Sequence, residues 1–133
     1  MPTMSGDAKA ALKELAQALR DLHRSLVEAT RREYEKEWGP VNDAGQLLQL
    51  LTRHPKFCWL HQLSEFIVDV DELLDQETVL EPEMRMIFTQ AKALITPSVS
   101  DITEFSQRYV DLLQQDPALV MAHANVRRVL SGA

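Results

Sequence analysis

Leucines recur every three or four residues near the start of the chain. The series, which we call the leucine seam, is Leu12, Leu15, Leu19, Leu22 and Leu26. This spacing places all five side chains on one face of a helix that packs along its length. No Gly or Pro interrupts the pattern before Gly39 and Pro40. The pattern therefore predicts a first helix over residues 8–38.

The positions that flank the leucine seam indicate how this helix packs. Most of them are small, including Ala11, Ala16 and Ala18. Small flanks widen the apolar face, which is typical of a helix touched by several neighbours in a bundle. A helix of about 30 residues spans about 45 Å, longer than a compact body of this chain length. We therefore expect it to overhang, bend or meet a second subunit in a dimer. The next segment should cover Tyr34 and Trp38 near its end.

Proline and capping residues divide the remainder into further helices. Asp43 can cap a short leucine-rich helix, and a third helix should run from Pro55 to about Leu74. Later helices should follow Pro82, the caps Ser98 or Ser100, and Asp116 with Pro117. Short connections favour antiparallel neighbours. The sequence thus predicts an all-α fold, an antiparallel bundle of four long helices with one or two additional short helices. We expect one domain over residues 1–133, with residues 1–6 as a flexible tail.

The net charge and the distribution of apolar residues limit the kinds of molecule that the protein is expected to bind. The chain of 133 residues has a formal net charge of −6, which argues against nucleic acid as the main partner. No apolar run approaches the length of a membrane span, and the N-terminus lacks the pattern of a signal peptide. We therefore predict a cytoplasmic protein that engages neither membrane nor nucleic acid.

The sequence contains none of the common patterns of catalytic or metal-binding residues. The chain lacks the Glu-x-x-His pairs of di-iron bundles, the His-Glu-x-x-His of metalloproteases, a Gly-rich phosphate loop and Gly-x-Ser-x-Gly. We therefore predict no catalytic residue, no metal site and no cofactor. Cys58, the single cysteine, stands in the first turn after Pro55, where a thiolate is favoured. A small, buried or half-buried role is the interpretation we favour, and a reactive thiol is the alternative.

Four polar residues stand out as a possible cluster inside the bundle. His23, His123 and Asp71 each fall at the margin of the apolar face of a helix, and Tyr109 lies within such a face. If these margins meet, an imidazole and a carboxylate could pair under cover, and burial would shift their pKa values. The alternative is that each is a half-buried side chain satisfied by backbone or water.

The distribution of charge is uneven. No Lys or Arg occurs between Phe57 and Met84, whereas eight Asp and Glu occur between Phe57 and Met84. This span predicts an acidic interaction surface that could bind a basic partner or loosely hold divalent cations. The alternative is that the acids serve solubility and pair locally with the first helix. The residues we assign to this surface are Glu65, Asp69, Glu72, Asp75 and Glu77.

These observations leave three hypotheses of function. The first is a non-catalytic protein-protein interaction or regulatory module, which binds another protein or its own copy. The second is a small-ligand or metal-binding bundle, with a site between helices lined by His23, Asp71, His123 and Tyr109. The third is an enzyme, supported only by Cys58 and the histidine–carboxylate possibility. The first hypothesis is the one the sequence favours.

Overall fold

The computed structural model describes residues 5–96 and 104–132, which form helices and no strand. The predicted all-α class is confirmed. The described residues contain seven helices, one or two more than predicted, and only the first is much longer than 15 residues. The expected caps Ser98 and Ser100 lie outside the described residues. The helices are α1 (Ser5–Trp38), α2 (Ala44–Arg53), α3 (Pro55–Cys58), α4 (His61–Leu74), α5 (Glu81–Ile95), α6 (Glu104–Gln115) and α7 (Pro117–Ser131).

The first helix begins earlier than predicted and ends where predicted. Residues 1–4 of the expected tail lie outside the described range, and α1 already includes Ser5 and Gly6. The helix ends at Trp38, and Gly39 follows with a φ of +88°, a left-handed conformation that favours glycine. None of the helices in the described part of the chain is both long enough and apolar enough to cross a membrane.

The leucine seam of α1 is the centre of the hydrophobic core. All five of its leucines are fully buried, and the small flanking residues Ala16 and Ala18 are buried with them. Four helices, α3, α4, α5 and α7, pack on α1. The small flanks permit this number of neighbours, because each allows a second helix to approach beside the seam. The predicted wide apolar face is confirmed.

Two ion pairs show the direction in which α7 crosses α1. Glu14 lies 3.5 Å from Arg128, and Arg32 lies 2.6 Å from Asp116. The first pair joins the start of α1 to the end of α7, and the second joins the end of α1 to the start of α7. The two helices therefore run antiparallel. Asp116 also caps α7, since its Oδ1 accepts the Ala118 N–H at 2.9 Å. This cap, predicted from the sequence, is confirmed.

The predicted third helix is in fact two helices, α3 and α4, separated by a turn at Trp59 and Leu60. The prediction of one continuous helix from Pro55 was wrong for a physical reason. Phe57, Trp59 and Leu60 are all at least 95% buried. Successive residues of a straight helix are 100° apart, so Phe57 and Trp59 would point in nearly opposite directions. The turn reorients the chain and lets all three side chains enter the core.

The end of α1 is less covered by the following segment than the sequence predicted. Trp38 remains 57% exposed, and α2 contains no buried residue. The ring neighbours of Tyr34 come instead from the segment after α2. Its ring centroid lies 5.1 Å from that of His54 and 5.9 Å from that of Phe57. A compact ring cluster therefore surrounds Tyr34, while Leu47, Leu50 and Leu51 of α2 are only partly buried against the core.

Candidate functional site

His23 and Asp71 lie on the interface between α1 and α4, each with a partner of its own. The His23 Nε2 lies 2.9 Å from the Ser64 Oγ, and Arg20 forms an ion pair with Asp71. The Ser64 hydroxyl also donates to the Leu60 carbonyl oxygen at 3.3 Å. Because a hydroxyl has one proton, both bonds form together when His23 donates from Nε2. Burial lowers the pKa of His23, which favours this neutral imidazole.

Tyr109 and His123 form a close pair between α6 and α7. The Tyr109 hydroxyl lies 2.6 Å from the His123 Nδ1, and the Tyr109 ring stacks on Phe105 at 5.6 Å between centroids. Burial raises the pKa of the Tyr109 phenol. Burial, and secondarily the charge of Arg127, lowers the pKa of His123. The phenol is therefore the donor and the neutral imidazole the acceptor.

The four residues of the predicted cluster thus take part in three separate contacts. The structure brings Tyr109 and His123 together, whereas His23 is bonded to Ser64 and Asp71 is paired with Arg20. Tyr109 is fully buried. In both histidine contacts the pKa shift favours the uncharged form, and each hydrogen bond satisfies a group that would otherwise be buried alone. This arrangement suits a structural role better than proton transfer to a substrate.

Two further titratable residues, Cys58 and His61, lie at the surface. Cys58 is exposed, so the favoured interpretation of a buried or half-buried cysteine was wrong. The reason is the turn after α3, which directs Phe57 and Trp59 inward and leaves Cys58 outside. His61 is exposed as well, and its Nε2 lies 3.0 Å from the Leu51 carbonyl oxygen. Within residues 5–96 and 104–132, no three His, Cys, Asp or Glu side chains are grouped as metal ligands.

The acids of the predicted interaction surface are all exposed. They lie on α4 and on the connection to α5, and none has a Lys or Arg partner within ion-pair distance among the described residues. Asp71, by contrast, is the acid of this span that pairs with α1. The members of the exposed set are Glu65, Asp69, Glu72, Asp75 and Glu77.

A groove of about 410 Å³ runs beside this acidic surface, between α4 and α5. We call it the α4–α5 groove. Its apolar lining is Phe66, Leu94 and Phe105, of which Phe105 is only 4% exposed. Glu65 and Asp69 form its α4 rim. The remaining lining residues are exposed and uncharged, namely Gln62, Gln90 and Ala93.

Only one wall of this groove was predictable from the sequence. The acidic wall on α4 was predictable, because this span of the sequence contains acids and no Lys or Arg. Gln90 and Ala93 of α5 carry no charge and no apolar periodicity that would distinguish them from an ordinary exposed face. Phe66 and Phe105 belong to apolar faces, and the sequence does not reveal that a gap between helices leaves them lining a groove. A signal for the α5 wall was Met86, an apolar residue that stands four residues before Gln90 and so lies on the same row of α5. In the structure Met86 is exposed.

The chain matches no protein-family model, no curated protein and no solved structure at a significant level. The case for any function therefore rests on the geometry and chemistry of the chain itself.

Proposed function

We propose that this protein is a non-catalytic interaction module that binds a basic amphipathic helix of a partner protein in the α4–α5 groove. The observation that carries the proposal is the combination of an apolar floor with an acidic rim. Phe66, Leu94 and Phe105 supply the floor, and Glu65 and Asp69 supply the rim. Helices bind in grooves through a row of apolar anchors, and flanking charges set their orientation and their association rate.

The groove is long enough to contact about two turns of a partner helix. Its α4 wall runs from Gln62 to Asp69, which is about 12 Å at 1.5 Å per residue. Met86, which is 60% exposed and stands four residues before Gln90, extends the apolar character of the α5 wall. Exposed apolar side chains grouped beside a groove are typical of a protein-binding surface.

The charge of the groove favours a basic partner over a second copy of the chain. The protein has a formal net charge of −6. A second copy would bring a further acidic surface to an acidic rim, and like charges oppose association. A partner helix with Lys or Arg along one edge would meet Glu65, Asp69 and Glu72 with opposite charge.

The proposal is tested with a labelled 14-residue amphipathic peptide of leucine and lysine, in which the lysines occupy one face. Fluorescence anisotropy should show saturable binding that weakens as salt is added, because salt screens exposed charges. The same peptide with glutamate in place of lysine should not bind. Binding of both peptides with equal affinity would contradict the assigned charge preference.

Two matched pairs of variants locate the binding surface. Asp69→Lys should weaken binding about tenfold or more, a change of about 1.4 kcal/mol. Glu28→Lys, an equal charge change on the exposed side of α1, should leave binding nearly unchanged. Ala93→Lys within the groove should also weaken binding, whereas Ala124→Lys on α7 should not. Equal effects within each pair would indicate non-specific attraction to an acidic protein and would overturn the proposal.

A further inference from the structure

A second groove, of about 190 Å³, lies between α5 and α7, and we call it the α5–α7 groove. Its floor is apolar. Met84 and Phe88 of α5 are buried beneath it, and Leu130 of α7 is partly buried. The remaining lining residues are exposed and belong to α5, namely Arg85, Thr89 and Lys92.

The two helices that form this groove carry cations and no acids along the facing stretches. The chain contains 20 Asp and Glu, yet none occurs in residues 84–95 of α5 or in residues 117–133, which include α7. The α5–α7 groove is therefore a positive surface on a protein with a formal net charge of −6. The cations in these two stretches are Arg85, Lys92, Arg127 and Arg128.

Lys92 and Arg127 are the two cations that remain available to a ligand. Both are exposed, and neither forms an ion pair with another residue of the described ranges. Lys92 lines the groove, and Arg127 stands three residues before Leu130 and so lies beside it on α7. Arg85 and Arg128, by contrast, are already paired with acids.

The size and the floor of the groove suit a single aromatic side chain. Sites for whole small molecules usually have about 300–1,000 Å³, more than this groove offers. Methionine sulfur and phenylalanine rings both make favourable contacts with an aromatic ring, and Met84 and Phe88 supply one of each. Among the described residues α7 contributes Leu130 alone to the lining. The groove therefore offers one anchoring point and not the row of anchors that a partner helix needs.

We propose that the α5–α7 groove binds an extended acidic segment of a partner protein through one aromatic side chain flanked by Asp or Glu. The aromatic ring packs on Met84 and Phe88, and the flanking carboxylates pair with Lys92 and Arg127. A second copy of this chain does not fit the description. Phe66, the aromatic residue beside its exposed acids, is itself partly buried in the α4–α5 groove.

This inference goes beyond the proposed function, because the two grooves share no lining residue. They lie on different sides of α5. Phe88 lines one and Gln90 the other, and two residues of separation place their side chains about 160° apart around the helix. With both grooves occupied, the protein would bridge a basic and an acidic partner. Either site can fail without the other.

The test uses nuclear magnetic resonance of the methionine methyl groups of the full chain, titrated with the peptide Gly-Asp-Asp-Phe-Asp-Asp-Gly. Met84 lines the α5–α7 groove, whereas Met86 lies beside the α4–α5 groove and Met121 is 73% exposed on α7. We expect a saturable shift of the Met84 signal with little change in the other two. Added salt should weaken the binding, because it screens the exposed charges.

Altered peptides separate the two parts of the recognition. Serine in place of phenylalanine removes the anchor, and asparagine in place of aspartate removes the charge. Each change should weaken binding about tenfold or more. The leucine–glutamate peptide used for the α4–α5 groove has no aromatic anchor and should leave the Met84 signal unchanged.

Two matched pairs of variants locate the binding surface. Lys92→Glu should weaken binding of the acidic peptide about tenfold or more, whereas Arg53→Glu, an equal charge change on exposed α2, should not. Thr89→Glu should also weaken binding, and Thr52→Glu on α2 should not. Both threonines are exposed, and each donates to the carbonyl oxygen four residues before it, at 3.0 and 3.1 Å, so the two variants disturb their helices alike.

Three results would overturn the proposal. The first is the absence of a saturable Met84 shift at about 10 mM peptide, where even a Kd of about 1 mM gives near-complete binding. The second is an equal effect of the two variants within each pair, which would indicate non-specific attraction. The third is a change in the Met84 signal with vesicles of anionic lipid and none with the peptide, which would assign the groove to a membrane surface.

Discussion

The main part of α1, residues 8–30, and its end, residues 31–38, belong to one continuous helix and have very different surroundings. The main part contains the leucine seam, which is fully buried from Leu12 to Leu26. In the end Tyr34 is half-buried, and Trp38 is 57% exposed. A helix can therefore continue without burial along its whole length. Tertiary packing stabilises the main part, and backbone hydrogen bonds continue the end.

Different interactions hold these two parts. The main part is held by apolar contact with several helices. The end is held by the rings around Tyr34 and by polar contacts with the chain that follows it. The Glu35 carboxylate accepts the Val41 N–H at 2.7 Å, and Arg31 donates to the Val41 carbonyl oxygen at 3.0 Å. Because polar contacts of this kind exchange readily with water, we expect the end to contribute less to the free energy of unfolding.

The largest expected effect is that of Leu19→Ala in the middle of the leucine seam. Leu19 is fully buried. Truncation removes its burial and leaves a cavity, which should lower the free energy of unfolding by about 2–5 kcal/mol. Urea denaturation followed by circular dichroism measures the change. The control is Leu48→Ala in α2, where the side chain is 62% exposed and the loss should be below about 0.5 kcal/mol. Equal losses would contradict the buried position of the seam.

A smaller effect is expected for Trp38→Ala at the other end of the helix. The Trp38 ring lies 5.1 Å from both the Tyr34 and the His54 rings, and the Lys56 ammonium lies 5.9 Å from its centre. Because the ring is more than half exposed, its loss should cost about 1 kcal/mol, as for a single aromatic contact. The same urea denaturation measures it. A loss as large as that of Leu19→Ala would mean that Trp38 is covered in solution, as in a dimer.

The comparison also separates what the sequence could predict of the fold from what it could not. The leucine seam was predictable, because a regular spacing of three and four specifies a buried face without reference to other helices. The break between α3 and α4 was not. It depends on the combined burial of Phe57, Trp59 and Leu60, which only the neighbouring helices decide. The exposure of Trp38 was missed for the same reason, since periodicity does not specify where the covering helices end.

The candidate sites also contain features that the sequence could predict and features that it could not. The acidic rim of the α4–α5 groove was predictable from charge alone, as Glu65 and Asp69 show. The cavity lined by Glu33 of α1 and Asp111 of α6 was not predictable, because these two residues come together from helices distant in sequence. The structure pairs Tyr109 with His123. The sequence hypothesis had grouped these two residues with His23 and Asp71. His23 and Asp71 are half-buried, as their positions at the margins of helix faces indicated. Such a position does not specify which neighbouring helix supplies the partner.

The smallest expected effect is a pH dependence that arises from His23 on α1 and His123 on α7. Burial lowers the pKa of both His23 and His123, so the folded protein binds these protons less readily than the unfolded chain, whose histidines titrate near 6.5. The free energy of unfolding should therefore decrease as the pH falls through 6.5 and level off below the folded pKa values. Urea denaturation at pH 7.5 and 5.5 measures the decrease. It should be smaller in His23→Gln and smallest in the double variant with His123→Gln, since glutamine does not titrate. An increase in stability on acidification over this range, or the same decrease in the double variant, would show that these two side chains are not held in the uncharged form.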